Sequence, residues 1–133
     1  MKLSTKSEYA LLALIDLAHN FGKGLVKIEE LSERKKIPRK YLEQILLTLN
    51  RAGYLRSKRG ADGGYELSKD PNKISVAEIV RLMDGALAPV GSVSKYFYAG
   101  TPIEQSTKLV KLFKEIRDQI AKKMENTTIA DLK

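Results

Sequence analysis

The sequence contains no cysteine and only one histidine, His19, among its 133 residues. Without thiols the chain cannot form disulfides, thiolate zinc sites or a cysteine nucleophile. A single imidazole would need several carboxylates beside it to hold a transition metal. We therefore expect no metal and no other cofactor, and we expect His19 to be solvated or to cap a helix end.

Long apolar segments are also missing. The longest uncharged apolar stretch, residues 9–15, is far too short to cross a membrane. The polar first residues do not resemble a secretory signal. We expect a cytoplasmic protein with no membrane partner. The hydrophobic content of 43% is enough for the core of one compact domain with one protruding element.

Positive charge is concentrated in the first half of the chain. Of the formal net charge of +8, residues 1–69 carry fourteen Lys/Arg against eight Asp/Glu, a net +6, and residues 70–133 carry ten against eight, a net +2. A basic excess of this kind is expected where one half of a protein faces a polyanion.

Apolar residues spaced three and four apart predict five helices, over residues 5–20, 28–34, 39–52, 74–83 and 103–125. In the first helix Thr5 and Glu8 have the spacing of a capping box. The apolar face of that helix is expected to consist of Tyr9, Leu12, Ala13 and Leu17.

The third predicted helix is the clearest element, because Leu42, Ile45, Leu46 and Leu49 form a continuous apolar stripe. After it, two short alternating segments joined by the small residues 60–64 predict a β-hairpin. Ser75 and Glu78 have the spacing of a second capping box. Residues 85–102, rich in glycine and proline, predict a loop.

Three helices followed by a basic hairpin is the order of a winged helix-turn-helix. The face of the third helix that points away from its stripe carries base-reading and phosphate-binding side chains, namely Lys40, Glu43, Gln44, Leu47 and Arg51. An ordinary amphipathic helix with a solvated face explains this pattern equally well. The hairpin favours nucleic-acid binding, because Arg56, Lys58 and Arg59 precede a narrow glycine tip that can enter a minor groove.

Four motifs in this order, at residues 3–10, 41–46, 59–67 and 126–132, resemble the Rrf-two family of bacterial winged-helix transcription regulators over nearly the whole chain. The resemblance implies a mainly α fold with a small β-hairpin, in which a homodimer binds a palindromic operator. It also implies a division into a winged helix-turn-helix domain at residues 1–84, a sensor-type loop at 85–102, and a dimerisation helix with a C-terminal tail at 103–133.

Two sets of site residues follow from the outward faces and the resemblance together. The set expected to contact DNA comprises Arg39, Lys40, Tyr41, Glu43, Gln44, Arg51, Lys58, Arg59 and Gly60. The set expected at the dimer interface comprises Leu109, Phe113, Ile116, Ile120 and Met124.

One feature of the family is absent. Many members bind a [2Fe–2S] cluster through three cysteines in the loop before the last helix, and here Ser92 takes the place of the first. Serine does not supply the soft, charged ligand that iron needs, so no iron–sulfur cluster is expected. Cysteine-metabolism repressors of the family also lack the cluster. The similarity leaves a small-molecule effector or a cysteine-biosynthesis enzyme as a further partner.

Two other classes of function compete with this interpretation. An enzyme is not expected, since the sequence shows no nucleophile paired with a base, no phosphate-cradling loop and no metal set. A winged-helix module that binds protein or structured RNA stays open as the alternative. A steep salt dependence and a preference for one palindromic site would favour DNA.

Overall fold

A mainly helical chain with one small β-hairpin is seen in the computed structural model, which describes residues 2–133. Its elements in chain order are α1 (Thr5–His19), α2 (Ile28–Lys35), α3 (Arg39–Arg51), β1 (Leu55–Lys58), β2 (Gly64–Leu67), α4 (Val76–Asp84), α5 (Thr107–Glu125) and α6 (Ile129–Leu132). Short 3₁₀ turns span Pro71–Lys73, Gly91–Val93 and Pro102–Gln105. The predicted fold class is confirmed.

The start of α1 differs from the prediction. Ser4, rather than Thr5, is the N-cap, and its hydroxyl accepts a hydrogen bond from the Ser7 N–H at 3.1 Å. The predicted apolar face is also partly wrong, because Leu12 is 40% exposed. Residues 9–15 are apolar all round the helix, so spacing alone did not select the buried side, which comprises Ala10, Ala13, Leu14, Leu17 and Ala18.

A tight turn joins α2 to α3. Lys36 adopts the left-handed conformation at φ 53°, and Ile37 fills the core beneath the turn with 1% exposure. Pro38 is the N-cap of α3. Arg34 of α2 bonds the buried Asp16 of α1 at 2.9 Å, which docks the helix-turn-helix on α1.

The apolar stripe of α3 is buried as predicted. Leu42, Leu46 and Leu49 are fully buried and Ile45 is 4% exposed. Gly53 follows the helix at φ +88°, a conformation that glycine adopts without strain. The stripe therefore fixes the opposite face of α3 towards solvent.

The hairpin is an antiparallel pair in which Leu55 lies opposite Leu67 and Lys58 opposite Gly64. Its second strand also forms a bridge to Val26, with reciprocal backbone hydrogen bonds between Val26 and Tyr65 of 2.8 Å. A side chain at Gly64 would place its Cβ 2.5 Å from the Val26 carbonyl oxygen. Glycine is therefore needed where the wing meets the segment before α2.

The end of the chain returns to the core of the N-terminal helices. Thr128 and Asp131 form a capping box at the start of α6, and the capping box of Ser75 and Glu78 at α4 is present as predicted. Ile129 is fully buried in the cluster that contains the α1 and α3 stripes, and its N–H donates to the Ile74 carbonyl at 2.9 Å. The tail that follows the predicted dimerisation helix therefore packs on the N-terminal helices.

Residues 85–102 form an irregular loop, and α5 begins only at Thr107 because Ser106 is its N-cap. The predicted start at residue 103 is thus too early, since Pro102–Gln105 forms a separate turn. Within the described residues, no helix is both long and apolar enough to cross a membrane. His19 is exposed, in agreement with the solvated reading.

Candidate nucleic-acid interface

The wing and α3 form the two walls of a groove of about 900 Å³. Its lining includes Glu43, Gln44 and Leu47 from α3 and Lys58, Arg59 and Gly60 from the wing. Asn50 on α3 donates to the Ser57 hydroxyl on β1 at 3.0 Å, and the Tyr54 N–H donates to the Leu49 carbonyl. These bonds hold the hairpin against the end of the helix, so the structure brings the predicted reading helix and the predicted wing together.

Free positive charge in the wing lies near its tip. Arg56 pairs across the hairpin with Glu66 at 3.3 Å. Lys58 and Arg59 are exposed and form no ion pair with any of the residues from 2 to 133. Gly60 follows at φ +101°, and its carbonyl accepts the Gly63 N–H at 3.0 Å to close the turn. The wing tip therefore carries two exposed cations beside a narrow turn of small residues.

Arg39, at the start of α3, lies between two carboxylates. Its Nη1 is 3.1 Å from an oxygen of Glu29, and its Nε is 3.3 Å from an oxygen of Glu43. Glu29 and Glu43 both line the groove. The guanidinium of Arg39 is thus already paired, unlike Lys58 and Arg59 of the wing.

A second groove of about 460 Å³ separates α1 from α3. Tyr41, 62% exposed, has its ring centroid 6.4 Å from that of Tyr9. Lys6 lines the same groove, and Gln44 lines both grooves. Sequence reasoning did not assign Lys6, although the motif at residues 3–10 had singled out its segment.

The two remaining α3 cations lie apart from this lining. Lys40 and Arg51 are exposed near opposite ends of α3, and neither lines either of these two grooves. Exposed lysine and arginine side chains of this kind can contact the phosphates of a DNA backbone.

The apolar stripe of α5 is covered incompletely by its own chain. None of the α5 residues in the described chain is buried, and Leu109 and Leu112 are 43% and 48% exposed. Ile116 and Ile120 are half-buried. Leu112 had been missed, because the predicted stripe followed a spacing of 109, 113, 116.

Met124 differs from the rest of the predicted interface set. It packs against the buried cluster of Ala77, Val80 and Leu87 in its own chain. Met124 therefore helps to hold the C-terminal end of α5 on α4. The other members of the set, from Leu109 to Ile120, lie nearer the N-terminal end of the helix.

A polar contact joins the base of the wing to α4. The Tyr54 hydroxyl donates to Glu78 at 2.6 Å, and the Lys69 ammonium lies 4.6 Å from the Tyr54 ring centroid. Burial, with the bond to Glu78, raises the pKa of Tyr54. Burial alone would raise the pKa of Glu78, but hydrogen bonds from Tyr54 and Ser75 outweigh it and lower that pKa.

Comparisons with known proteins cover the chain almost from end to end. Residues 3–133 match the family model for Rrf2, described as "Iron-dependent Transcriptional regulator". The HTH-type transcriptional regulator CymR of Bacillus subtilis (strain 168) is 33% identical over 132 residues, which is 99% of this chain and 89% of that protein.

Solved structures agree with the sequence matches. The structure of CymR, the global cysteine regulator of B. subtilis, has a TM-score of 0.80 at 32% identity over 99% of this chain and 95% of that one. The T. potens IscR structure has a TM-score of 0.74 at 31% identity over 99% of this chain and 85% of that one.

The family description names iron, but the side chains of the loop at residues 85–102 do not fit an iron–sulfur cluster. The Ser92 and Thr101 hydroxyls bond one another at 2.7 Å, and the Ser94 hydroxyl accepts the Phe97 N–H at 3.0 Å. These hydroxyl groups would be neutral oxygen ligands, whereas an iron–sulfur cluster needs thiolate or imidazole ligands. Instead, Arg117 of α5 holds the loop by donating to the Val93 carbonyl at 2.9 Å.

Proposed function

The chain belongs to the Rrf2 family of transcriptional regulators, and we propose that it binds a palindromic operator as a homodimer without an iron–sulfur cluster. It is a DNA-binding winged-helix regulator, and its relatives and structural neighbours are regulators rather than enzymes. The observation that carries the proposal is the groove between α3 and the wing, which joins base-reading side chains to free cations.

Base recognition is assigned to the middle of α3 and to the wing tip. Gln44 can bond an adenine edge, and Glu43 can accept from a cytosine amino group. Leu47, 41% exposed, offers an apolar contact for a thymine methyl. Arg59, supported by Lys58 and the thin turn at Gly60, enters the minor groove, where the potential is most negative.

Phosphate contacts are assigned to the flanks of the interface. Lys40 and Arg51 lie near the two ends of α3, and Tyr41 faces the groove beside α1. Lys6 on α1 adds a cation to that groove. Such contacts orient the protein on the duplex but carry no sequence information of their own.

The homodimer is assigned to α5. Leu109, Leu112, Phe113, Ile116 and Ile120 form the stripe that a symmetry-related α5 would cover. The proposed division keeps residues 1–84 as the DNA-binding domain, with α6 packed into it, and assigns residues 85–102 to a sensor-type loop. Residues 103–125 then form the dimerisation segment.

A further partner is assigned to the loop at residues 85–102. Tyr96, Phe97 and Tyr98 of this loop are 72%, 52% and 64% exposed, so much of their aromatic surface is open to a partner. The cavity beside Tyr96 measures only about 20 Å³, too small for a metabolite. This surface therefore favours a protein partner, such as a cysteine-biosynthesis enzyme, over a small-molecule effector.

The decisive experiment is selection of binding sites from random duplexes, followed by titrations at several salt concentrations. We expect one palindromic sequence, two chains bound per duplex, and affinity that falls steeply with salt. The purified dimer should be colourless. Equal affinity for scrambled DNA, or tighter binding to structured RNA, would contradict the proposal, and stoichiometric iron would contradict its cluster-free part.

A further inference from the structure

Three charged side chains from two helices meet at the entrance to the groove between α3 and the wing. Arg39 uses Nη1 towards Glu29 of α2 and Nε towards Glu43 of α3, at 3.1 and 3.3 Å. Because different nitrogens make the two contacts, both carboxylates are held at once. The group carries a net charge of −1.

Helix electrostatics favour this arrangement. Arg39 is the first residue of α3, where the positive end of the helix dipole disfavours a cation. Glu29 lies in the first turn of α2, where a carboxylate is favoured. The side chains of all three residues are between 54% and 59% exposed, so each pair by itself is weak and exchangeable.

DNA that enters the groove meets Glu29 and Glu43 at its wall. A free arginine at this position would attract any phosphate, whatever the sequence. A paired arginine adds little to this general attraction, and it keeps the Glu43 carboxylate in place to accept from one kind of base edge.

We propose that Glu29 is a positioning residue for DNA specificity, which acts through Arg39. It withholds Arg39 from phosphates and, through the shared guanidinium, orients Glu43. This inference rests on the proposed role of α3 as the recognition helix. It changes the expected role of Arg39 from a direct DNA contact to a link between two carboxylates.

The test compares Glu29→Gln with Glu33→Gln. Both residues are exposed on α2, both substitutions remove one negative charge at nearly constant size, and Glu33 forms no ion pair within residues 2–133. For Glu29→Gln we expect binding to scrambled duplexes to tighten by roughly threefold, the size of one exposed ion pair. The slope of log affinity against log salt should steepen by about one unit, and the preference for the selected site should fall.

A double variant shows whether the effect passes through Arg39. In the Arg39→Gln background, Glu29→Gln should change binding no more than Glu33→Gln does. Equal effects of Glu29→Gln and Glu33→Gln in the wild-type background would overturn the inference, as would an undiminished effect without Arg39. If the unmodified protein fails to prefer any duplex, the proposed function fails instead, so the two failures are distinguishable.

Discussion

Two amphipathic helices, α3 and α5, carry similar apolar stripes but differ in how the fold covers them. In α3 the stripe is buried against α1 and the wing, with Leu42, Leu46 and Leu49 at 0% exposure. In α5 none of the described residues is buried, and Leu109 and Leu112 remain nearly half exposed. Periodicity identifies both helices, but it does not say whether the same chain or a second one covers the stripe.

The difference matches the two proposed roles, which are DNA recognition for α3 and dimerisation for α5. Because the core holds the apolar side of α3, its polar side is fixed towards the groove. α5 instead leaves an apolar side available, held in place by Met124 at one end and by the bond from Arg117 to the loop. Substitutions on the α5 stripe should therefore affect dimerisation, whereas substitutions on the α3 stripe should affect the stability of the fold.

The largest effect is expected on α5. Ile116→Asp would place an unpaired carboxylate twice in a symmetric interface, so dimerisation should weaken by at least roughly 3–5 kcal/mol. Operator binding should be lost with it, while the monomer stays folded. Sedimentation at micromolar concentration is the measurement. Thr107→Asp adds the same charge at an exposed position on the first turn and should leave the dimer intact; a dimeric Ile116→Asp would mean that the interface lies elsewhere.

A change on the α3 stripe should destabilise the folded chain rather than weaken the contact between two chains. Leu46→Ala removes a fully buried side chain and should lower the free energy of unfolding by about 2–5 kcal/mol. Leu47→Ala, at the neighbouring exposed position, should cost only about 0.5 kcal/mol. Denaturant titrations of both variants provide the comparison, and similar costs would show that the α3 stripe is misplaced.

The wing should affect binding without affecting stability. Arg59→Ala should weaken binding to the selected site by roughly 1–3 kcal/mol and reduce the salt slope by about one unit if the guanidinium also neutralises a phosphate. Arg56→Ala is the matched control, because Arg56 is already paired with Glu66. Titrations against selected and scrambled duplexes measure both. Unchanged binding by Arg59→Ala would remove the wing tip from the interface.

The smallest effect concerns the polar contact between the wing base and α4. The pKa of Glu78 is lowered in the folded chain from its ordinary value of 4.5. The ionised Glu78 carboxylate therefore contributes its full stabilisation above about pH 4.5. That stabilisation is lost as the pH falls through the lower pKa that Glu78 has in the folded chain. Glu78→Gln preserves the cap but cannot titrate, so its stability should depend less on pH in acid. Identical acid-denaturation curves would contradict this.

Some features of the candidate DNA-binding site could be predicted from the sequence alone. The outward direction of Gln44 and Leu47 follows from the unbroken helical spacing of the α3 stripe. The position of Arg59 near the wing tip follows from the glycine-rich turn that comes directly after it. Met124 shows the limit of helical spacing, because it also packs against α4 of its own chain. Helical spacing places Met124 on the same stripe as Ile120, but it does not show which elements of the fold lie nearby.

The sequence by itself determined the local elements, namely the helices, the hairpin and the missing cluster ligands, because backbone preferences and side-chain chemistry act over a few residues. The tertiary structure decided what those elements meet. It selected the buried side of α1 within the apolar residues 9–15, placed Ile129 in the core of the N-terminal helices, and placed Arg39 between Glu29 and Glu43. These outcomes depend on contacts between distant segments, which only the folded chain brings within bonding distance.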